Sequence, residues 1–415
     1  REGRWIREPK YLNDYSVFWF RKGANPRDYS FWAADSIYQR ALVLGDFTLA
    51  VDLLPELVAN YQEWEKSRLC PDGLFWQIDD RDGMEKSIGG NGKRPTINSY
   101  MYGDARAIAA IARVANKPDI EKEYTAKAEK LRHLVNTKLW DKEALFYKTL
   151  PYSKDGDIVS DETNFVDVRE LHGFTPWYFH LPEADGGREI AWRQLMDTKG
   201  FKAPFGPTTA EQRHPRFAVS YKGHECLWDG PSWPFATAIT LTALANVLND
   251  YSQQEVLRDD YFETLRTYAK SHRLKRDDGS VVPWIDENLN PFTGDWISRT
   301  RLKSWNASGW APAKGGIERG KDYNHSTFCD LIITGLIGLR PRADDMVEVN
   351  PLVPDGAWDF FCLDRVPYHG RMLTILYDRS GKKYGKGAGL RILADGKEIG
   401  HSPTLGRVVA PLAEI

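Results

Sequence analysis

Residues 94–119 read RPTINSYMYGDARAIAAIARVANKPD. The apolar residues fall on one stripe at helical spacing, and Pro118 and Asp119 stop it. The next stretch, IEKEYTAKAEKLRHLVNTKLW over 120–140, is rich in good helix formers and reads as its antiparallel partner. Outward from this hairpin the texture repeats. Residues 31–66 read as two helices broken near Gly45 and Asp46, and further helices are expected over 164–179, 185–197, 232–248, 254–271 and 325–338. On alternate turns the connections are long and rich in glycine and tryptophan, and loops of that length in a compact body carry function. Helix hairpins with their loops gathered at one end predict a mainly-α (α/α)6 six-hairpin toroid over residues 1–340. About ten helices, not twelve, are countable by periodicity.

Past Gly338-Leu339-Arg340-Pro341 the pattern changes. MVEVNPLV, WDFFCLDRVPYHGRMLTILYD, GLRILADGKEIG and GRVVAPL alternate in the manner of strands between Asp-Gly and glycine-rich turns. Residues 341–415 are therefore expected to form a small antiparallel, sandwich-like β-domain.

The 415 residues carry 58 acidic and 56 basic side chains, a net charge of −2, and are 42% hydrophobic. A chain of this size builds a large core without a metal or disulfide staple. The near-zero charge, with no lysine/arginine stripe, excludes nucleic-acid binding through a general basic field. No run approaches the roughly 18 apolar residues of a membrane span. The four cysteines are widely spaced and read as isolated core residues, and no His-Glu-x-x-His or Cys/His zinc spacing occurs. No metal and no cofactor is expected. The chain opens Arg1-Glu2-Gly3 with neither Met nor an apolar signal core, as a processed or trimmed product would. A periplasmic or secreted location is expected if the substrate is an external glycan. Oligomeric state is not legible.

With 15 Trp, 19 Tyr and 18 Phe, the chain has many flat rings with polar edges, which suit sugars as well as bulky cores. Four stretches place carboxylates among them. These are DYSFWAADSIY (28–38), DGLFWQIDDRDGMEKSIGG (72–90), HECLWDGPSWPF (224–235) and VPWIDENLNPFTGDW (282–296). An acidic residue beside an indole in a turn also serves as a helix cap. Four such stretches in separate hairpin connections point further, to the paired carboxyls of glycosidic hydrolysis. One carboxyl is kept protonated by apolar walls and the other ionised by polar ones.

These residues resemble the clan of inverting (α/α)6 glycosidases that includes trehalases, processing α-glucosidase I and mannosylglycerate-hydrolase-like enzymes. YSFWAADSIY is similar to the trehalase Tyr-x-Trp-Asp-Ser-Tyr stretch, which implies that Trp32 and Asp35 touch the innermost sugar. RDGMEKS sits where the clan has Gly-Trp-Asp-x-Ser, and the resemblance gives Asp82 as general acid, with Asp79 and Asp80 competing. Trp76, Trp284 and Arg94 fall near the same acid and base segments as sugar-side candidates. Asn98, Trp228, Asp229 and Trp233 follow from RPTINSYMYGDA and LWDGPSW. ENLNPFTG resembles the clan's Glu-x-x-Asn/Asp-Pro-x-Thr-Gly segment and gives Glu287 as general base. His214, in a loop, and His325, in a segment resembling the Asn-His of α-L-rhamnosidases, are further binding candidates. The resemblance implies an exo-acting, inverting glycoside hydrolase with a carbohydrate substrate. A rhamnosidase-like L-sugar glycosidase, which would promote Asp28 or Asp35, is the alternative. So is a polysaccharide lyase using Tyr100, Tyr102, Arg94 and His325, or a non-catalytic glycan binder.

Overall fold

The computed structural model describes residues 29–219, 226–297, 323 and 326–412. Asp28 and His325 lie outside them. The body is built from helix pairs in chain order: α1 (Ala33–Leu44) with α2 (Thr48–Arg68), α3 (Pro95–Val114) with α4 (Pro118–Leu134), the short α5 (Thr175–Tyr178) with α6 (Arg193–Met196), and α7 (Pro234–Asp250) with α8 (Arg258–Ser271). Then α9 (Ser326–Asp330) runs on as a wider π-turn, Leu331–Leu336.

Burial sorts these helices into two rings. Sixteen of the 20 residues of α3 and 12 of the 17 of α7 are buried, so both are covered nearly all round. By contrast α4 buries only Tyr124, Ala128 and Leu131, and α8 buries a single stripe. An outer helix needs one apolar stripe, whereas an inner one is enclosed by its neighbours and its partner. The inner helices pack in sequence, α1 on α3, α3 on α5, α5 on α7, and α7 on the π-turn. This is the α/α toroid expected from the hairpin pattern.

The third hairpin differs from expectation. Helices over 164–179 and 185–197 are reduced to single α-turns joined to tight 3-10 turns. Pro176, Pro182 and the Gly186-Gly187 pair interrupt both segments. In compensation Phe174, Trp177 and Trp192 fill the gap, with Phe174 and Trp192 stacked at 4.2 Å. A hairpin of β2 (Leu150–Asp155) and β3 (Ile158–Asp161), which the periodicity did not reveal, pairs with β1 (Gly92–Lys93).

The C-terminal part is antiparallel. Strands β6 (Phe360–Tyr368), β7 (Arg371–Asp378), β8 (Gly389–Ala394) and β9 (Lys397–Ser402) form one sheet in sequence order. A second joins β4 (Leu339–Arg340), β5 (Met346–Val349) and β10 (Val408–Pro411). The β8–β9 turn is Asp395-Gly396, both at positive φ (50° and 83°), the geometry that Asp-Gly favours in a two-residue hairpin. The β6–β7 turn, His369-Gly370, rests on the end of α1. His369 donates its backbone N–H to the Val43 carbonyl at 3.1 Å, and its ring lies 2.8 Å from the Leu42 carbonyl. Arg340 and Arg407 pair with Asp250 at the end of α7. The β-domain thus caps the C-terminal ends of the inner helices. Cys70 is buried, whereas Cys329 and Cys362 are exposed, so the cysteines are not uniformly core residues.

Candidate active site

The described parts of the four aromatic–acidic stretches gather at the end of the body where α1, α3 and α7 begin, opposite the β-domain. They are stitched together by hydrogen bonds. Ser30 N–H donates to the Arg81 carbonyl (2.8 Å), and Trp228 N–H to the Glu85 carbonyl (3.2 Å). Ser232 and Leu289 exchange backbone bonds at 3.0 Å each. One mouth is therefore assembled from segments about 260 residues apart in sequence.

Asp82 sits beneath this mouth rather than in it. Its side chain and that of Arg94 are fully buried. Arg94 Nε donates to Asp82 Oδ2 at 2.7 Å, and the Thr96 hydroxyl donates to the same oxygen. The Arg94 guanidinium also donates to the Gly90 carbonyl and to Ser87 Oγ. Neither side chain presents any surface at the mouth. Together they fix the 82–90 turn.

That turn carries Glu85, which sequence reasoning passed over. Burial, then the negative charges of Asp80, Glu287 and Asp79, push its carboxyl up to about 7. The Tyr323 hydroxyl lies within electrostatic reach of both Glu85 and Glu287. Its pKa is raised first by burial and then by those two charges. Glu287 is half-buried. Its backbone N–H donates to Asp286 Oδ1 at 2.8 Å, and the Cys226 thiol approaches its Oε2 at 3.8 Å. Asp286 is held by the Trp284 indole N–H at 3.3 Å. Two carboxyls, one raised by burial and like charge, thus share a mouth with a phenol. That is a set able to hold one proton and to accept another.

Trp228 and Trp233 are stacked on each other, 4.5 Å apart at 19° and nearly buried, and Tyr323 meets Trp233 edge-on at 6.1 Å. They build the wall as a pair and do not offer two bare indole faces. Asp79 and Asp80 lie on the rim, where burial raises Asp79 and Asp80 pairs with Arg81. Asp229 is buried beside the stacked pair.

Other expected contacts lie elsewhere. Asn98 is fully buried and spends its amide on Phe75 and Arg94 backbone, which anchors the loop after α2. Trp76 packs on Tyr152 under the Arg68 guanidinium. His214 is buried, 3.2 Å from Asp167, and its Nδ1 accepts the Arg216 N–H. Trp32 and Asp35 face the ring axis below the mouth. Tyr100 and Tyr102 are buried, and Tyr102 is bonded to Arg132, so no uronate-neutralising set assembles among the described residues. A cleft of about 780 Å³ beside the mouth is lined by Asp295, Trp296 and the Arg273–Asp278 turn, without either catalytic candidate.

Residues 1–326 match the model of the mannosylglycerate hydrolase MGH1-like glycoside hydrolase domain. The chain belongs to this family. Residues 339–401 of this MGH1-like protein match the C-terminal domain of glycosyl hydrolase family 65. A solved structure named a sialidase is 42% identical, with a TM-score of 0.82, covering 98% of this chain and 36% of that one. An uncharacterized protein of Borreliella burgdorferi is 21% identical over 199 residues, 46% of this chain and 38% of its own. The mannosylglycerate hydrolase of Thermus thermophilus, solved with glucose, is 15% identical with a TM-score of 0.47, covering 69% of this chain and 77% of that one. The MGH1-like chain therefore spans well under half of the first two relatives. In the clan's Gly-Trp-Asp-x-Ser pattern, Gly83-Met84-Glu85-Lys86-Ser87 matches glycine to glycine and serine to serine. That register, three residues beyond Asp82, was the signal for Glu85.

Proposed function

We propose that the chain hydrolyses a terminal glycosidic bond with inversion, with Glu85 as general acid and Glu287 as general base. The observation that carries this reading is the pairing of Glu85, raised to about 7, with Glu287 in a mouth walled by Trp228 and Trp233. Protonated, Glu85 hands its proton to the leaving oxygen, while Glu287 deprotonates the attacking water. Asp286 and Cys226 orient Glu287. Release of a terminal sugar is supported by the aromatic layer of Trp32 and Phe235 at the base of the inner ring, which favours entry from one side. Substrate identity is not carried over from any relative.

The test is proton NMR of the first sugar released from a panel of aryl glycosides, whose anomer should be opposite to the substrate's. A first product of unchanged configuration would overturn the mechanism. Glu287→Gln should abolish turnover of every substrate. Glu85→Gln should lose roughly 10²–10⁴-fold on natural linkages but much less on dinitrophenyl glycosides, whose leaving group needs no proton.

A further inference from the structure

Behind the mouth the inner helices enclose a second space. A cavity of about 720 Å³ lies along the ring axis, with Asp35 of α1, Tyr178 of α5, Thr242 of α7 and Asp330 of α9 on its walls. Glu85, Glu287, Trp228, Trp233 and Tyr323 do not line it. An aromatic layer stands at its mouth-side end. There Trp32 stacks on Phe235 (6.3 Å, 28°) and packs on Tyr100 at 4.7 Å and Phe179 at 6.0 Å. Arg340 and Pro341 line the end that faces the β-domain.

One wall of this chamber is rich in acceptors. The Tyr178 hydroxyl takes a hydrogen bond from the Trp32 indole and lies within electrostatic reach of both Asp35 and Asp330. Burial raises both carboxyls, Asp35 to about 6, where Gln39 and the charge of Arg106 only partly offset it, while Asp330 stays open to solvent. Neither carboxylate closes an ion pair within 4.0 Å with a described residue. Asp35 has one long bond from Gln39, at 3.4 Å. Arg106, Asn246 and Thr242 line the same cavity as donors, and a wall that mixes acceptors with donors suits a ligand whose hydroxyls do both. The aromatic layer beside them suits the apolar C–H face of a sugar ring. The volume falls in the range of small-ligand pockets, about 300–1,000 Å³.

We propose that the axial chamber is a second carbohydrate site, taking a neutral polyol of mono- or disaccharide size and separated from the catalytic mouth by the Trp32–Phe235 layer. The experiment is calorimetric titration of the full chain with free glucose, mannose, mannitol and trehalose, and with tetramethylammonium as a cation-only probe. It is repeated on Asp330→Asn and on Thr242→Trp, which fills the chamber. Binding of at least one polyol should weaken by about tenfold or more in each variant, while kcat/KM on aryl glycosides stays within about twofold. Polyol binding unchanged in Asp330→Asn would overturn the proposal, as would binding of tetramethylammonium alone or of none of the probes. If Thr242→Trp fails to fold, the isosteric Asp330→Asn still decides. Loss of turnover in Glu85→Gln or Glu287→Gln bears on the catalytic reading and leaves this one standing.

Discussion

At the scale of single residues, the site turns on which carboxyl keeps its proton. Glu85 is raised from an ordinary 4.5 to about 7 by burial and by three neighbouring carboxylates. A raised acid is protonated below its folded pKa, so the acid-dependent kcat/KM should fall as pH rises through about 7. Glu85→Gln should remove that limb from the profile obtained with a glycoside whose leaving group must be protonated, and a dinitrophenyl glycoside should show no such limb with either protein. The same shift destabilises the fold at high pH, because folding disfavours the charged form between pH 4.5 and 7. Glu85→Gln should therefore gain on the order of 1–3 kcal/mol at pH 8, read as a higher urea midpoint, and little at pH 4. The sequence led to this turn and to Asp82 on it, whereas the acid proposed here is Glu85. Asp82, Asp79 and Asp80 crowd the same seven residues as Glu85, and composition cannot say which is turned inward. Burial against Arg94 decides that, and Arg94 lies 12 positions away.

Among the elements, the 82–90 turn has no regular structure of its own beyond one 3-10 turn, Asp79–Asp82. It depends on Arg94 at the start of α3, and on Glu170, which accepts the Gly89 N–H at 3.1 Å and is bonded to His172 at 2.9 Å. Arg94→Gln leaves the Asp82 carboxylate buried and uncompensated, so it should cost about 3–5 kcal/mol by thermal denaturation. Adding Asp82→Asn should recover a large part of that, since the unpaired charge is then gone; strictly additive losses would contradict the pairing. The long helices were legible because α3 and α4 each carry an apolar stripe at helical spacing. The enclosure of α3 was not, since it also buries the polar Thr96, Asn98, Ser99 and Asp104. The third hairpin was not legible, since its stability comes from Phe174, Trp177 and Trp192 packing across turns, contacts without a period.

For the molecule as a whole, Asp250 is the joint between toroid and β-domain, meeting His180, Arg340 and Arg407. Burial alone would raise its pKa, yet the His180 hydrogen bond and the arginine charges hold it below the ordinary value. A depressed acid contributes stability above its unfolded pKa, and that contribution is lost as pH falls through the folded value. Acid should thus loosen the joint, seen as faster proteolysis between the two parts at pH 3 than at pH 6. Asp250→Asn should show that looseness already at pH 6.

The contact between His369 and Leu42 joins positions 327 residues apart. During synthesis the end of α1 therefore stays uncovered until residue 369 has left the ribosome. The built Cβ of an alanine at Gly45 would lie 2.9 Å from the His369 ring, so this late closure tolerates little added bulk. A nascent chain arrested before residue 369 should expose the end of the α1–α2 hairpin to chaperones, and emergence of the His369-Gly370 turn should bury it in a single step.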